Sequence, residues 1–196
     1  MIIFNSDNGA HGRGGTLEFF EASGDLRGKK RMMTEGGLRS PMVAYWPKTI
    51  PKGVVSDHPS AFWDFLPTMS DLTGTSIVGE TDGISMLPTF VGNFEKQLKH
   101  DYLYWELYEG VPSCAVVMQD WKGIIKDLRK PNNFELYNLK TDPSEKNNLS
   151  KKFPVVVDEI KEIMSESHIP NKYWKKFNKP LFNSDLAYED TKVLAK

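Results

Sequence analysis

The chain has 196 residues, with 25 Lys and Arg against 26 Asp and Glu and a net charge of −1. That describes a soluble globular protein of one large domain or two small ones, long enough to bury a sizeable core without staples. The near-neutral balance gives no electrostatic footprint for nucleic acid or an anionic membrane, and a single cysteine, Cys114, excludes an internal disulfide framework.

In chain order, Met1–Phe4 reads as a fully buried strand, consistent with a parallel sheet covered on both faces. Residues 9–28 hold six glycines with little periodicity, which predicts a long loop of the kind that carries function. Residues 41–46 form a second buried strand closed by Pro47. Asp57 is expected to N-cap a helix with Phe62, Phe65, Leu66, Met69 and Leu72 on one face, kinked at Pro67 and ended by Gly74. Strand, loop, strand, helix is the alternation of an α/β domain.

The character changes after about Gly92. Four short β-like runs, 102–107, 114–118, 121–126 and 134–139, predict an antiparallel meander. An amphipathic helix over 154–169, with Val156, Val157, Ile160, Ile163 and Met164 on one side, is the obvious cover for that sheet. The expected division is therefore residues 1–92, then a small antiparallel-sheet-and-helix domain over 93–169, then a surface-wrapping or partly disordered tail over 170–196. The tail lysines read as a solvated face. Cys114, inside an apolar run, reads as packing rather than as a reactive thiol. No apolar stretch approaches a membrane span, and the N-terminus lacks the basic region and apolar core of a signal peptide.

Three constellations can carry chemistry. Asp7-Asn8-Gly9 follows directly on the first strand, and adjacent carboxylate and amide oxygens suit a hard cation such as Ca²⁺ or Mg²⁺. The same tripeptide is a favoured Asx turn, which on its own is the simpler account. Arg27-Gly28-Lys29-Lys30-Arg31 before Glu35-Gly36-Gly37-Leu38-Arg39 sets cations beside glycines, which suits a tetrahedral oxyanion; a basic surface loop, with Glu35 neutralising Arg39, is the plainer alternative. His11 lies just past Asn8, where it could donate to a substrate or simply face solvent. His58, His100 and His168 receive no role.

Taken together these segments resemble the formylglycine-dependent sulfatases, the arylsulfatase A-like branch of the alkaline phosphatase superfamily. The resemblance runs through 3–9, 26–31 and 35–41 in order and spacing. It continues through Asp64–Thr68, Asp82–Ser85, Tyr104-Trp105-Glu106, Trp121-Lys122, Glu135–Leu139 with Asp142-Pro143, and Asn147-Asn148-Leu149, covering roughly residues 1 to 175. The fold it implies is the C-terminal part of a sulfatase-type α/β sandwich, followed by a small domain of four antiparallel strands and a helix.

What the resemblance implies for single residues is limited. Asp7 and Asn8 match two ligands of an active-site Ca²⁺. Lys30, five residues before Glu35, matches the lysine that contacts sulfate and steadies the leaving group. His11 falls where such enzymes recognise substrate, and Glu35, Gly36, Gly37 and Arg39 match a motif that orders the turn behind the lysine. The departure is sharper: the formylglycine nucleophile derives from a Cys/Ser-x-Pro-x-Arg segment, and no serine or cysteine here has proline two residues on. The chain is thus expected to be a sulfatase fragment, inactive alone, with an incomplete Ca²⁺ site and an open sheet edge beside Met1–Phe4 through which it can associate. Its expected substrate is a sulfate ester, of carbohydrate by analogy, and its expected location periplasmic or secreted. A non-catalytic module for sulfated glycans, and a phosphate or phosphonate ester hydrolase of the same superfamily, are the alternatives.

Overall fold

The computed structural model describes residues 1–12, 16–170 and 181. They pack as two compact units: Met1–Asn8 with Arg39–Leu103, and Gly9–Leu38 with the residues from Tyr104 onward.

In the first unit, β1 (Ile2–Asn5) pairs with β2 (Met42–Tyr45), and the pairing is antiparallel, with Ile2 opposite Tyr45 and Asn5 opposite Met42. The expected parallel, doubly covered strand is not what forms. An apolar run specifies strand but leaves direction open, and here alternate residues face out: Ile2, Phe4, Val43 and Tyr45 are all more than half exposed. The next helix also begins later than expected. His58 precedes Pro59, and a residue before proline is pushed towards extended backbone. The helical turn therefore starts as a 3₁₀ segment at Phe62–Asp64 and continues as a helix at Phe65–Thr73, with Gly74 closing it at φ 66°. Asp64, not Asp57, serves the start: its Oδ2 accepts the Ala61 N–H at 2.7 Å. Pro67 is the third helical residue, where the N–H has no intrahelical acceptor, so it removes no helical bond.

The second unit, from Tyr104 onward, holds the predicted meander, β3 (Leu103–Leu107, whose first residue is counted with the first unit), β4 (Ser113–Met118), β5 (Trp121–Ile125) and β6 (Phe134–Asn138), hydrogen-bonded in that order. A helix of fourteen residues, Pro154–Ser167, lies on one face. Its Val157, Ile160 and Met164 are buried in a core with Cys114, Val116, Ile125 and Leu136. Leu181 joins that core at 2 % exposure, while the rest of the tail expectation lies outside the described residues. The other face is covered too. Ala115, Ile124 and Tyr137 pack there with Met33, and Leu38 lies against them, so the segment around 33–38 is the sheet's second cover. This double burial is why β4 and β5 read as continuous apolar runs instead of alternating ones.

Candidate functional site

Strand alternation puts Lys122 and Ile124 of β5, and Glu135 and Tyr137 of β6, on the face covered by residues 33–38; the register pairs Lys122 with Tyr137 and Ile124 with Glu135. Lys122 is fully buried there. A buried ammonium needs countercharge, and two carboxylates supply it. Its Nζ donates to Glu35 Oε1 at 2.7 Å and lies 3.1 Å from Glu145 Oε1. Glu145 is itself buried and sits in left-handed backbone at φ 54°. Its other oxygen accepts the Glu35 N–H at 3.0 Å and the Arg27 Nε–H at 3.3 Å.

Arg27 completes the attachment. Its guanidinium donates to Tyr137 Oη at 3.0 Å and to Glu135 Oε2 at 3.2 Å, and stacks 4.8 Å over the Tyr137 ring. Burial pushes the Tyr137 phenol up to about 12, with a hydrogen bond to Glu135 adding to the rise. Glu135 goes the other way: burial pushes its carboxyl up, but hydrogen bonds from Lys126 and Tyr137 outweigh that and hold it below the usual range. Cations and anions from β5, β6 and the turn at Glu145 thus grip residues 27–35 from both ends. Lys30 lies midway along that stretch, partly exposed.

Backbone contacts fix the same segment from the other side. Lys30 N–H donates to Ala10 O at 2.9 Å, Gly9 N–H to Gly37 O at 2.8 Å, and Gly36 N–H to Arg27 O at 2.8 Å. The crossing tolerates no side chain: a Cβ on Gly9 would sit 1.9 Å from Gly36 O, and one on Gly36 would sit 2.6 Å from Gly28 O. Hence His11 and Lys30, far apart in sequence, belong to neighbouring stretches of one unit. His11 is exposed.

Asp7 and Asn8 lie in the first unit, just past β1. Ser6 Oγ–H donates to Asn8 O at 2.9 Å, and Ser40 Oγ–H donates to Ser6 O at 2.9 Å, which holds the turn to residue 40. The Asn8 amide donates to Asp7 Oδ1, so the two side-chain tips meet, with Asp7 exposed. What meets there is an amide N–H and a carboxylate oxygen, not two oxygens facing one cation. The donor types in the pair suit Ca²⁺, which takes about six to eight oxygens. The number does not, since no group of three or more His, Cys, Asp or Glu able to hold a metal occurs among the described residues.

The structure gives work to residues that had none. His100 Nε2 lies 2.9 Å from Asp64 Oδ1, which also accepts the Ile84 N–H at 2.9 Å; His168 Nδ1 lies 2.6 Å from Glu106 Oε1. Both histidines are structural pairs. Lys122 was the detectable omission: a lysine inside the apolar run Trp121-Lys122-Gly123-Ile124-Ile125 is a charge at mid-strand, and such a charge needs a buried partner.

Residues 28–169 match the family described as N-sulphoglucosamine sulphohydrolase, C-terminal. The chain belongs to that family. Human arylsulfatase A is 34% identical over 109 residues, which is 53% of this chain and 20% of that protein. The N-acetylgalactosamine-6-sulfatase of Canis lupus familiaris is 30% identical over 130 residues, 63% of this chain and 23% of that protein. The crystal structure of Ps i-CgsB, also solved in complex with k-i-k-neocarrahexaose, superposes with a TM-score of 0.69 at 30% identity, over 84% of this chain and 35% of that one. This sulfohydrolase-family chain spans about a fifth of the length of these curated relatives. No helix among its described residues is long and apolar enough to cross a membrane.

Proposed function

We propose that this chain is the C-terminal part of a formylglycine-dependent sulfatase that hydrolyses sulfate esters of carbohydrates. The observation that carries this reading is the seating of Lys30, held between the Arg27 and Glu35 attachments in a chain of the sulfohydrolase family. A lysine held in that way is preorganised to meet a sulfate and to offset charge developing on a leaving oxygen. His11, on the neighbouring stretch, is assigned to substrate contact. Asp7 and Asn8 are the side chains of this chain that would hold a Ca²⁺, whose chemistry when bound is Lewis acidity towards sulfate oxygens. The nucleophile is not encoded in these 196 residues.

Carbohydrate as the leaving group is supported by the canine relative, an N-acetylgalactosamine-6-sulfatase by name, and by the k-i-k-neocarrahexaose complex of Ps i-CgsB. Residues 1–92 are read as the end of a large α/β domain and 93–169 as the small domain after it, in a periplasmic or secreted enzyme. Two measurements test the reading. The purified chain is expected to turn over no aryl sulfate, and turnover above a Lys30→Ala control would overturn its assignment as an incomplete enzyme. The reading frame upstream of codon 1 is expected to carry a Cys/Ser-x-Pro-x-Arg segment; an upstream frame without one would overturn the sulfatase reading.

A further inference from the structure

Phe19 and Phe20 are the most conspicuous apolar side chains of the second unit that no core absorbs. They are 81 % and 69 % exposed, and their rings pack edge to face, with centroids 4.8 Å apart at 87°. Two phenylalanines left in water by a loop with a core close at hand are an unusual use of apolar surface. The pair also steadies itself, because edge-to-face packing fixes one ring against the other.

The loop that carries the pair is ordered by its own backbone. Ala22 N–H donates to Leu17 O at 3.1 Å, Gly24 N–H to Glu21 O at 2.7 Å and Leu26 N–H to Ser23 O at 3.0 Å. It is also tied to the stretch beside His11. A Cβ built on Gly12 would lie 3.0 Å from Leu17 Cδ1 and 2.9 Å from Lys29 Nζ, so Leu17 and the Lys29 side chain both rest on Gly12. Leu17 belongs to the short helix Thr16–Phe19. The element that ends in Phe19 is therefore seated against the residue after His11 and beside the residue before Lys30.

We propose that Phe19 and Phe20 form an aromatic subsite for a sugar ring of the sulfated saccharide whose sulfate meets Lys30. This rests on the proposed function. The charges around the loop argue for that occupant. Lys29 and Lys30 stand at its far end, where a sulfate belongs, while Arg31 beside them is already paired with Glu109. Glu18 and Glu21 flank the rings in sequence, where they would repel a sulfate but can accept hydrogen bonds from hydroxyls. A ligand with an apolar C–H face, hydroxyls at its rim and a sulfate at one end satisfies all three features. A purely apolar peptide would leave both glutamates unused, and a free sulfate would leave both rings unused.

The test is a ¹H–¹⁵N NMR titration of the full chain with N-acetylgalactosamine-6-sulfate and, separately, with inorganic sulfate. The saccharide is expected to shift amides on both 16–22 and 27–31, and sulfate only the latter. The F19A/F20A double variant is expected to bind the saccharide about tenfold more weakly and sulfate unchanged, with F19Y/F20Y restoring the saccharide. Lys30→Ala is expected to weaken both ligands. Should Lys30→Ala weaken both while F19A/F20A leaves saccharide affinity unchanged, the subsite is overturned and the sulfatase reading stands. Should Lys30→Ala change neither, or the chain bind neither ligand at millimolar concentration, the sulfate contact of Lys30 falls and the subsite with it, while the sulfatase reading still turns on the upstream Cys/Ser-x-Pro-x-Arg segment. A shift from dimer to monomer in F19A/F20A without loss of saccharide affinity would reassign the rings to self-association and also overturn the subsite.

Discussion

Lys122 can stay charged at the centre of a sheet only because Glu35 and Glu145 close on it from two segments distant in sequence. Removing the cation leaves two carboxylates buried against each other. Lys122→Ala is therefore expected to cost about 3–5 kcal/mol, the range for breaking a buried pair from one side. Urea unfolding measures it, and a change under 1 kcal/mol would show that the cluster is solvated in solution. Truncating Lys30, partly exposed on the same segment, is expected to change stability by less than about 0.5 kcal/mol, so the two lysines separate structural support from the proposed sulfate contact. The sequence placed a lysine in each of these motifs, but a motif does not say which lysine is buried. Distinguishing them takes the pairing of β5 with β6 and the left-handed turn at Glu145, both long-range results.

At the scale of elements, the meander and its covering helix were legible almost to the residue, because four β-branched and aromatic runs and one 3.6-period face each announce themselves locally. The second cover was not. Residues 33–38 carry no strong period, and the short helix Glu35–Leu38 with its two glycines has poor helical propensity. It forms because Gly36 and Gly37 let three backbone stretches cross within van der Waals reach. Gly36→Ala is expected to destabilise by about 1–3 kcal/mol, since the atoms its methyl would meet are the backbone carbonyls of Gly28, Arg27 and Leu26. Thermal unfolding checks it; an unchanged midpoint would mean the crossing opens freely. The N-terminal pair of strands was legible as strand but not as antiparallel, and the exposed Phe4 and Val43 show why: periodicity does not encode a partner.

For the whole molecule, ionised groups at the sheet set limits on pH. Glu135 titrates below its ordinary value of 4.5 in the folded chain, so the unfolded state binds its proton first as pH falls. Its contribution is present above that value and lost as pH drops through the lower, folded one. Tyr137 does the reverse: its folded value is about 12 against an ordinary 10.0, so its contribution is complete below 10.0 and lost as pH rises towards 12. Chemical denaturation across pH is expected to show both limbs, the acid one flattened in Glu135→Gln and the alkaline one in Tyr137→Phe; identical slopes in the variants would locate the titration elsewhere. The division of the chain into units has a consequence in time. Residues 9–38 leave the ribosome well before Lys122, Glu135 and Glu145, the partners of Arg27 and Glu35. During synthesis the segment bearing Lys30 must wait, unfolded and open to proteases and chaperones, until more than a hundred further residues have emerged.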